Sequence, residues 1–421
     1  MSVLIFHPMV APHVQQAARA LHDAGQLARF ITSVCHEPER FRQRALTLLG
    51  RVVGLDLARE FGRRTVRDLP PSLVESHPWG ELLRVAIARL DRDKRLSDFV
   101  WERTEFSFDA MVARRLHRGL TGVYGFEYSS LATFRRARRL GLRVAYEMPA
   151  PEPRFVHDLI DAETAKFPEL RTAYHDYTAV REEQRIARRR AEWAAADVII
   201  AASRFTRDSY ARAGLEVGRV RIIPLGAPPA VQPDTAAAGG TAAGARLRLL
   251  WAGSFSIRKG AHYLLDAWRE GRFSPHAQLD IYGSNGLPAR LTEPLPDGIS
   301  FHGSVPREEL MARYQQSDAL IFPTLCDGFG MVATEAWSRG LPVITTDNAG
   351  AADRLRPGEN GLVIRAGDAA AIAGAVTWCL NHRAELRRMR GPAAATAAAW
   401  QWADYRRALA ANLRDSGMFS R

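Results

Sequence analysis

Short apolar runs alternate with amphipathic helical stretches along this chain. The alternation runs twice, on either side of a segment made almost entirely of Pro, Gly and Ala. In the first half, "VLIF" (3–6), "ARFIT" (28–32), "GVYG" (122–125), "LRVAYE" (142–147), "DVIIAAS" (197–203) and "VRIIPLG" (220–226) read as buried strands. The first is followed by a helix with Val14, Ala17, Ala18 and Leu21 on one face and Gly25 as its stop. Residues 37–118 read as mostly helical, basic and Leu-rich, and a charged helix is expected over 178–195. Strands that alternate with helices imply parallel sheets covered on both faces.

The segment "APPAVQPDTAAAGGTAAGA" (227–245) has linker composition, and the domain boundary is expected near its start. Beyond it come "LRLLWAG", "LDIYG", "ISFHG", "ALIFP", "LPVIT" and "GLVIR" as strands. Among the intervening helices, 369–380 carries Ile372, Val376 and Leu380 at helical spacing. The C-terminal run 393–415 reads as one more helix, free to cross back to the first half. The fold class expected is α/β: two doubly wound domains facing a cleft, 1–226 and 227–395, with 396–421 as the crossing helix. At 421 residues the chain exceeds what one core ordinarily holds. Such sheets bind ligands at the carboxyl ends of their strands, and clefts between domains are favoured binding sites.

Two loops carry the chemistry. In "AGSFSIRKGAHYLL" a strand ends at Ala252-Gly253, Ser254 follows in the loop, and Arg258 and Lys259 precede a helix start. A helix N-terminus offers free N–H groups and a positive dipole end, and two cations beside it suit a diphosphate. In "PTLCDGFGMVATEAW", Asp327 is followed by Gly328, Phe329 and Gly330, and a helix is expected over 331–339. The amides of Gly330, Met331 and Val332 would face an anion or a sugar oxygen. Glu335, one turn in, would accept two hydrogen bonds from a vicinal diol. Taken alone, this loop is better explained with Asp327 as a helix cap and Glu335 as a solvated helix residue. A diphosphate clamp beside a diol clamp in one domain describes a nucleotide-sugar site.

The second half resembles the family 4 glycosyltransferases, which retain configuration and have the B-type fold of two Rossmann-like domains. The resemblance rests on "GSFSIRKG" and "DGFGMVATE" in order and spacing, with "HGSVPREELMARYQQSDALIFPT" and "EAWSRGLPVITTDNAGAADRLRPGENGLVI". In the first half, "REEQRIARRRAEWAAADVIIAASRFTRDSYARAGLEVGRVRIIPLGA" fits it too. It implies that Lys259, with Arg258 beside it, holds the diphosphate of a nucleotide-sugar donor. It implies amide contacts from Gly330, Met331 and Val332, ribose binding by Glu335, and contact of Asp327 with the transferred sugar. Three departures stand out. Ser254 replaces an arginine, Asp327 is one methylene shorter than the usual glutamate, and "HPMVAPHVQQ" lacks a glycine pair. No histidine directly follows the strand that ends at "YEMPAPEPRFVHD", where His157 is the nearest substitute.

The reaction so implied transfers a sugar to a hydroxyl of a glycan or lipid-linked glycan, in building a cell-surface polysaccharide or glycolipid. The departing diphosphate is stabilised by cations and helix dipoles, so no metal or other cofactor is expected. "DRD" (91–93) imitates a metal motif but lies outside the clamp. On the acceptor side, His13 is the first candidate and Glu127 the second; His7 and Gln16 share the opening loop.

Net charge is +12 with a pI near 10.1, which points to acidic partners. An anionic membrane surface is a further candidate partner, through residues 37–118. Nucleic acid is not expected, because the aromatics fall at core spacing. A nicotinamide oxidoreductase would need a Gly-x-Gly-x-x-Gly turn after the first strand, and "HPMVAPH" has no glycine. A catalytically impaired partner subunit is the alternative raised by Ser254 and Asp327. The three cysteines, Cys35, Cys326 and Cys379, show no metal spacing. With no apolar stretch long enough to span a bilayer and no basic leader before "VLIF", a cytoplasmic setting is expected, peripheral to the inner membrane face.

Overall fold

The computed structural model describes residues 2–34, 65–66, 68–91, 93–232 and 245–420. Cys35, residues 37–64 of the basic stretch, Arg92 and the linker core 233–244 lie outside the described residues.

The first sheet has seven parallel strands: β1 (Val3–Phe6), β2 (Leu27–Thr32), β3 (Val74–Ser76), β4 (Gly122–Phe126), β5 (Arg143–Met148), β6 (Val198–Ala201) and β7 (Val220–Ile222). Their order is β3-β2-β1-β4-β5-β6-β7. The second has six: β8 (Leu247–Ala252), β9 (Ala277–Tyr282), β10 (Ile299–Gly303), β11 (Ala319–Phe322), β12 (Val343–Thr346) and β13 (Gly361–Ile364), in the order β10-β9-β8-β11-β12-β13. Each order reverses beside its first strand, β1 or β8, as in a doubly wound sheet.

The helices of the first half are α1 (Pro12–Asp23), α2 (Trp79–Leu90), α3 (Arg95–Arg115), α4 (Leu131–Arg139), α5 (Pro153–Lys166), α6 (Ala173–Ala195) and α7 (Arg204–Arg212). Those of the second are α8 (Ala261–Gly271), α9 (Ala289–Thr292), α10 (Arg307–Gln316), α11 (Met331–Ser338), α12 (Ala369–Asn381), α13 (Arg383–Arg388), α14 (Arg390–Ala398) and α15 (Trp402–Asp415). Apolar clusters fill both faces of each sheet. Val3, Ile5, Ala17 and Leu21 pack on one face of the first, and Phe108, Val112, Phe134 and Trp193 on the other.

Two features differ from the sequence reading. The stretch 37–118, read as mostly helical, contains β3, which pairs with the end of β2 at Phe30 to Thr32. The C-terminal run 393–415 is two helices rather than one. Gln401 opens a new helix through a capping box with Asp404, and the Ala227 amide bonds to the Trp400 carbonyl at 3.0 Å. α14 buries Ala393 and Ala397 in the second domain. α15 buries Tyr405, Leu409 and Leu413 in the first, against α1.

The domains also meet through α5 and the turn after it. Leu159, Ile160, Phe167 and Leu170 join the core of the second domain. Glu163 accepts from the Tyr263 hydroxyl at 3.2 Å and lies 2.9 Å from His262 Nε2. α5 thereby rests on the turn that carries Arg258 and Lys259.

Candidate functional site

Two loops at the carboxyl ends of β8 and β11 form the candidate donor site. After β8 the chain turns at Gly253, whose φ of +99° suits glycine, and its amide bonds to the Tyr282 carbonyl at 2.8 Å. Gly253 and Ser254 are exposed, and Phe255 plugs the core beneath them. A single helical turn, Ile257–Lys259, then ends at Gly260, with φ +76°. A Cβ on Gly260 would lie 2.1 Å from the Pro323 carbonyl oxygen, so only glycine lets the β8 and β11 loops touch.

That contact is stitched by backbone. The Arg258 carbonyl accepts from the Leu325 amide at 2.9 Å and the Thr324 hydroxyl at 3.1 Å. The Arg258 guanidinium donates to the Cys326 carbonyl at 2.9 Å. Both cations are thereby delivered to Asp327. Lys259 Nζ donates to Asp327 Oδ2, and Arg258 Nη1 lies 3.7 Å from the same oxygen. Lys259 also sits over the Phe322 ring, 4.6 Å from its centre. Burial pushes the Asp327 carboxyl up, but Lys259 and Arg258 outweigh it and hold the group below the usual carboxylate range. Among the residues chosen from the sequence, these three form one connected cluster.

The loop between Asp327 and α11 faces two ways. Gly330, at φ +81°, starts α11. The amides of Gly330, Met331 and Val332 precede the first intrahelical bonds and carry the positive end of the helix dipole. Gly328 and Phe329, expected on the donor side, face the first domain instead. A Cβ on Gly328 would lie 2.0 Å from the Pro149 carbonyl oxygen. The Gly328 carbonyl accepts from Ser203 Oγ at 2.6 Å and Thr206 Oγ1 at 3.0 Å. The Phe329 ring, 2% exposed, packs in the first domain's core with Ile223, Leu225 and Tyr405.

Glu335 is buried one turn into α11. Its carboxylate lies 2.9 Å from Arg307 Nη1 and accepts from the Tyr314 hydroxyl at 3.4 Å. Burial raises the Glu335 carboxyl, and Arg307 offsets only part of that rise. Arg307 was not singled out in the sequence. It begins α10, inside "HGSVPREEL", and nothing in the local pattern signals its reach to α11.

On the first domain, His7 and His13 flank the Phe126 ring at 5.1 and 5.7 Å, beyond the ends of β1 and β4. Burial pushes them down to about 4 and about 3, so both rings are neutral at physiological pH. Gln16 is held by Arg406 of α15 at 2.6 Å. Glu127 is committed to Arg189, 2.6 Å away, rather than open to a ligand. The sequence also gave no sign of Glu147, buried at the end of β5. It accepts from Tyr124 at 2.5 Å and from Tyr405 of α15 at 3.4 Å. His157 lies on α5, 3.3 Å from Asp161. Asp91 of "DRD" takes the Ser97 amide at 2.6 Å, an ordinary role at a helix start.

Residues 246–382, which hold every donor-loop residue above, match the family model described as glycosyl transferases group 1. That segment, about a third of the chain, is thus similar to the group 1 glycosyltransferases. A D-inositol 3-phosphate glycosyltransferase of Nocardia farcinica is 33% identical over 129 residues, 31% of this chain and 27% of that protein. One from Acidothermus cellulolyticus is 27% identical over 237 residues, 49% of this chain and 52% of the relative. The chain thus spans between about a quarter and a half of the length of these curated relatives. Sucrose-phosphate synthase of Thermosynechococcus elongatus superposes with a TM-score of 0.63 at 19% identity, covering 99% of this chain and 98% of that one. Anabaena HepE in complex with UDP gives 0.58 at 14% identity, over 99% and 100%. These structures establish the B-type fold for this chain, two Rossmann-like domains around a cleft.

Proposed function

We propose that the chain transfers a sugar from a nucleotide-diphosphate donor to a hydroxyl of a glycan or lipid-linked glycan, with retention and without a metal. The observation that carries this reading is the convergence of Lys259, Arg258 and Asp327 beside the first turn of α11, within the part of the chain that matches group 1. The HepE neighbour, solved in complex with UDP, supports a nucleotide as ligand.

On this reading the donor diphosphate takes Lys259 and Arg258 as its cations and the amides of Gly330, Met331 and Val332 as its donors. Glu335 takes the ribose diol. Asp327, held by Lys259 in this structure, orients that lysine and reaches toward the sugar. As the bond to the anomeric carbon breaks, charge collects on the leaving phosphate. Fixed cations and helix amides favour that state without reorganising. The acceptor hydroxyl gives up its proton to the leaving phosphate. His7 and His13, both neutral, line the acceptor side.

A panel of UDP, GDP and ADP sugars, read by thermal shift and then by release of the nucleoside diphosphate, tests the proposal. One donor should stabilise the protein and be consumed. Lys259→Ala should lose turnover by about a hundredfold or more while keeping the fold, the scale of removing one charge-stabilising donor. Undiminished turnover in that variant would overturn the diphosphate assignment. A chelator should leave turnover unchanged, and a clear loss would overturn the metal-free part.

A further inference from the structure

We propose that a groove between α3 and α4, on the outer side of the first domain, binds clustered phosphate groups. The groove has a volume of about 530 Å³ and is lined by Ala113, Arg114, Ala132, Arg135, Arg136 and Arg139. Four of its six lining residues are arginines, and none is acidic.

Its place follows from the topology. α3 leads into the amino end of β4, and α4 leaves the carboxyl end of β4 for the amino end of β5. Asp109 of α3 caps the start of α4 through the Ala132 and Thr133 amides, at 2.7 and 2.9 Å. From there the two helices run side by side toward the amino ends of the strands. The four arginines lie along that run, on α3 and α4.

The neighbouring arginines are matched with carboxylates. Arg138 pairs with Asp197 at 2.6 Å, Arg115 with Glu75 at 3.0 Å and Arg188 with Asp109 at 2.6 Å. Arg114, Arg135, Arg136 and Arg139 have no ion pair or side-chain hydrogen bond among the described residues. A guanidinium cannot shed its charge to relieve the repulsion. A helix C-terminus accounts for one or two basic residues in its last turn. It does not account for four that converge from two helices on a space held open by two alanines.

Guanidinium groups bind phosphate in a bidentate fork. These four are exposed and spread along a groove, with no buried donor closing around a single anion. That arrangement fits several phosphates side by side. Two sources offer this chemistry: the headgroups of an anionic membrane, or a soluble polyphosphate ligand. The inference does not depend on the proposed transfer reaction.

The test compares the full chain with an R135A/R136A/R139A variant and with R212A/R387A/R414A. The second removes the same charge from exposed positions elsewhere. One arm measures flotation with phosphatidylglycerol vesicles against phosphatidylcholine, and the other measures calorimetric binding of inorganic tripolyphosphate. The groove variant should lose vesicle binding by about a hundredfold, since each basic residue at an anionic surface contributes about a factor of five. The control should lose far less. A selective loss in the vesicle arm assigns the groove to headgroups, and one confined to tripolyphosphate assigns it to a soluble ligand. If the two variants behave alike in both arms, or the wild-type chain binds neither probe, the proposal is overturned.

Discussion

Arg307 holds Glu335 at 2.9 Å, so the carboxylate expected to bind the donor's ribose has a cation partner from the helix after β10. Removing Arg307 leaves that buried group to desolvation, which already raises it. Arg307→Ala should therefore raise the Glu335 carboxyl further and weaken nucleoside-diphosphate binding, most at acid pH, where more of the carboxyl is neutral. Affinity should recover as pH rises and the carboxyl ionises again. Calorimetry as a function of pH separates this from a structural role, which would give a loss independent of pH.

Asp327 makes the opposite case. Its carboxyl is held below the usual range, so its ion pair contributes stability above the unfolded value near 3.8. The contribution is lost as pH falls through the lower folded value. Asp327→Asn should cost about 1–3 kcal/mol near neutrality, the scale of breaking a buried charged hydrogen bond. It should also flatten the acid limb of the stability curve below about pH 4. Urea unfolding from pH 3 to 7 reads both effects. An unchanged acid limb would mean the ion pair does not matter to the folded state.

Much of the fold was legible because parallel strands buried on both faces are continuous apolar runs, and twelve strands announced themselves that way. β3 did not. "VES" is short, lies at the sheet edge and carries a charged residue that pairs with Arg29 and Arg115. The break before α15 was hidden by an alanine-rich run with high helix propensity throughout. It is imposed by the bond of the Trp400 carbonyl to Ala227 and by the cap at Gln401.

At the site, Arg258, Lys259 and Asp327 could be singled out because their loops follow strands that end at Ala252 and Phe322 and lead into helix starts, and the structure brings the three side chains together. Phe329 was misread because a ring between two glycines looks the same from sequence whether it meets a ligand or another domain. Glu147 and Tyr405 are 258 positions apart, and only the crossing of α15 joins them.

Glu147 gives a pH effect of the other sign. Burial pushes its carboxyl up to about 7, with the Tyr124 and Tyr405 hydroxyls pulling against that rise. The native state therefore holds a proton that the unfolded chain releases near 4.5, and stability falls as pH rises from about 4.5 to 7. Glu147→Gln keeps an oxygen for both tyrosines and removes the titration. It should be more stable than wild type at pH 7 by up to about 3 kcal/mol and indistinguishable from it at pH 4. Thermal melts at the two pH values decide it. Equal gains at both would point to packing rather than proton release.

Phe329 is the sharpest test of how the domains are joined. It comes from the loop that carries Asp327, yet its ring is buried with Ile223, Leu225 and Tyr405 of the other core. Phe329→Ala should cost about 3–5 kcal/mol, the range for emptying a buried aromatic site. The loss falls at the seam rather than within one domain, so it should also uncouple the two units. A single calorimetric transition in the wild type should become two. The Ser203 and Thr206 bonds to the Gly328 carbonyl survive the substitution, since both run to backbone. If the variant instead melts in one transition shifted down, the seam is not held by Phe329 alone. A further Ser203→Ala substitution should then split it.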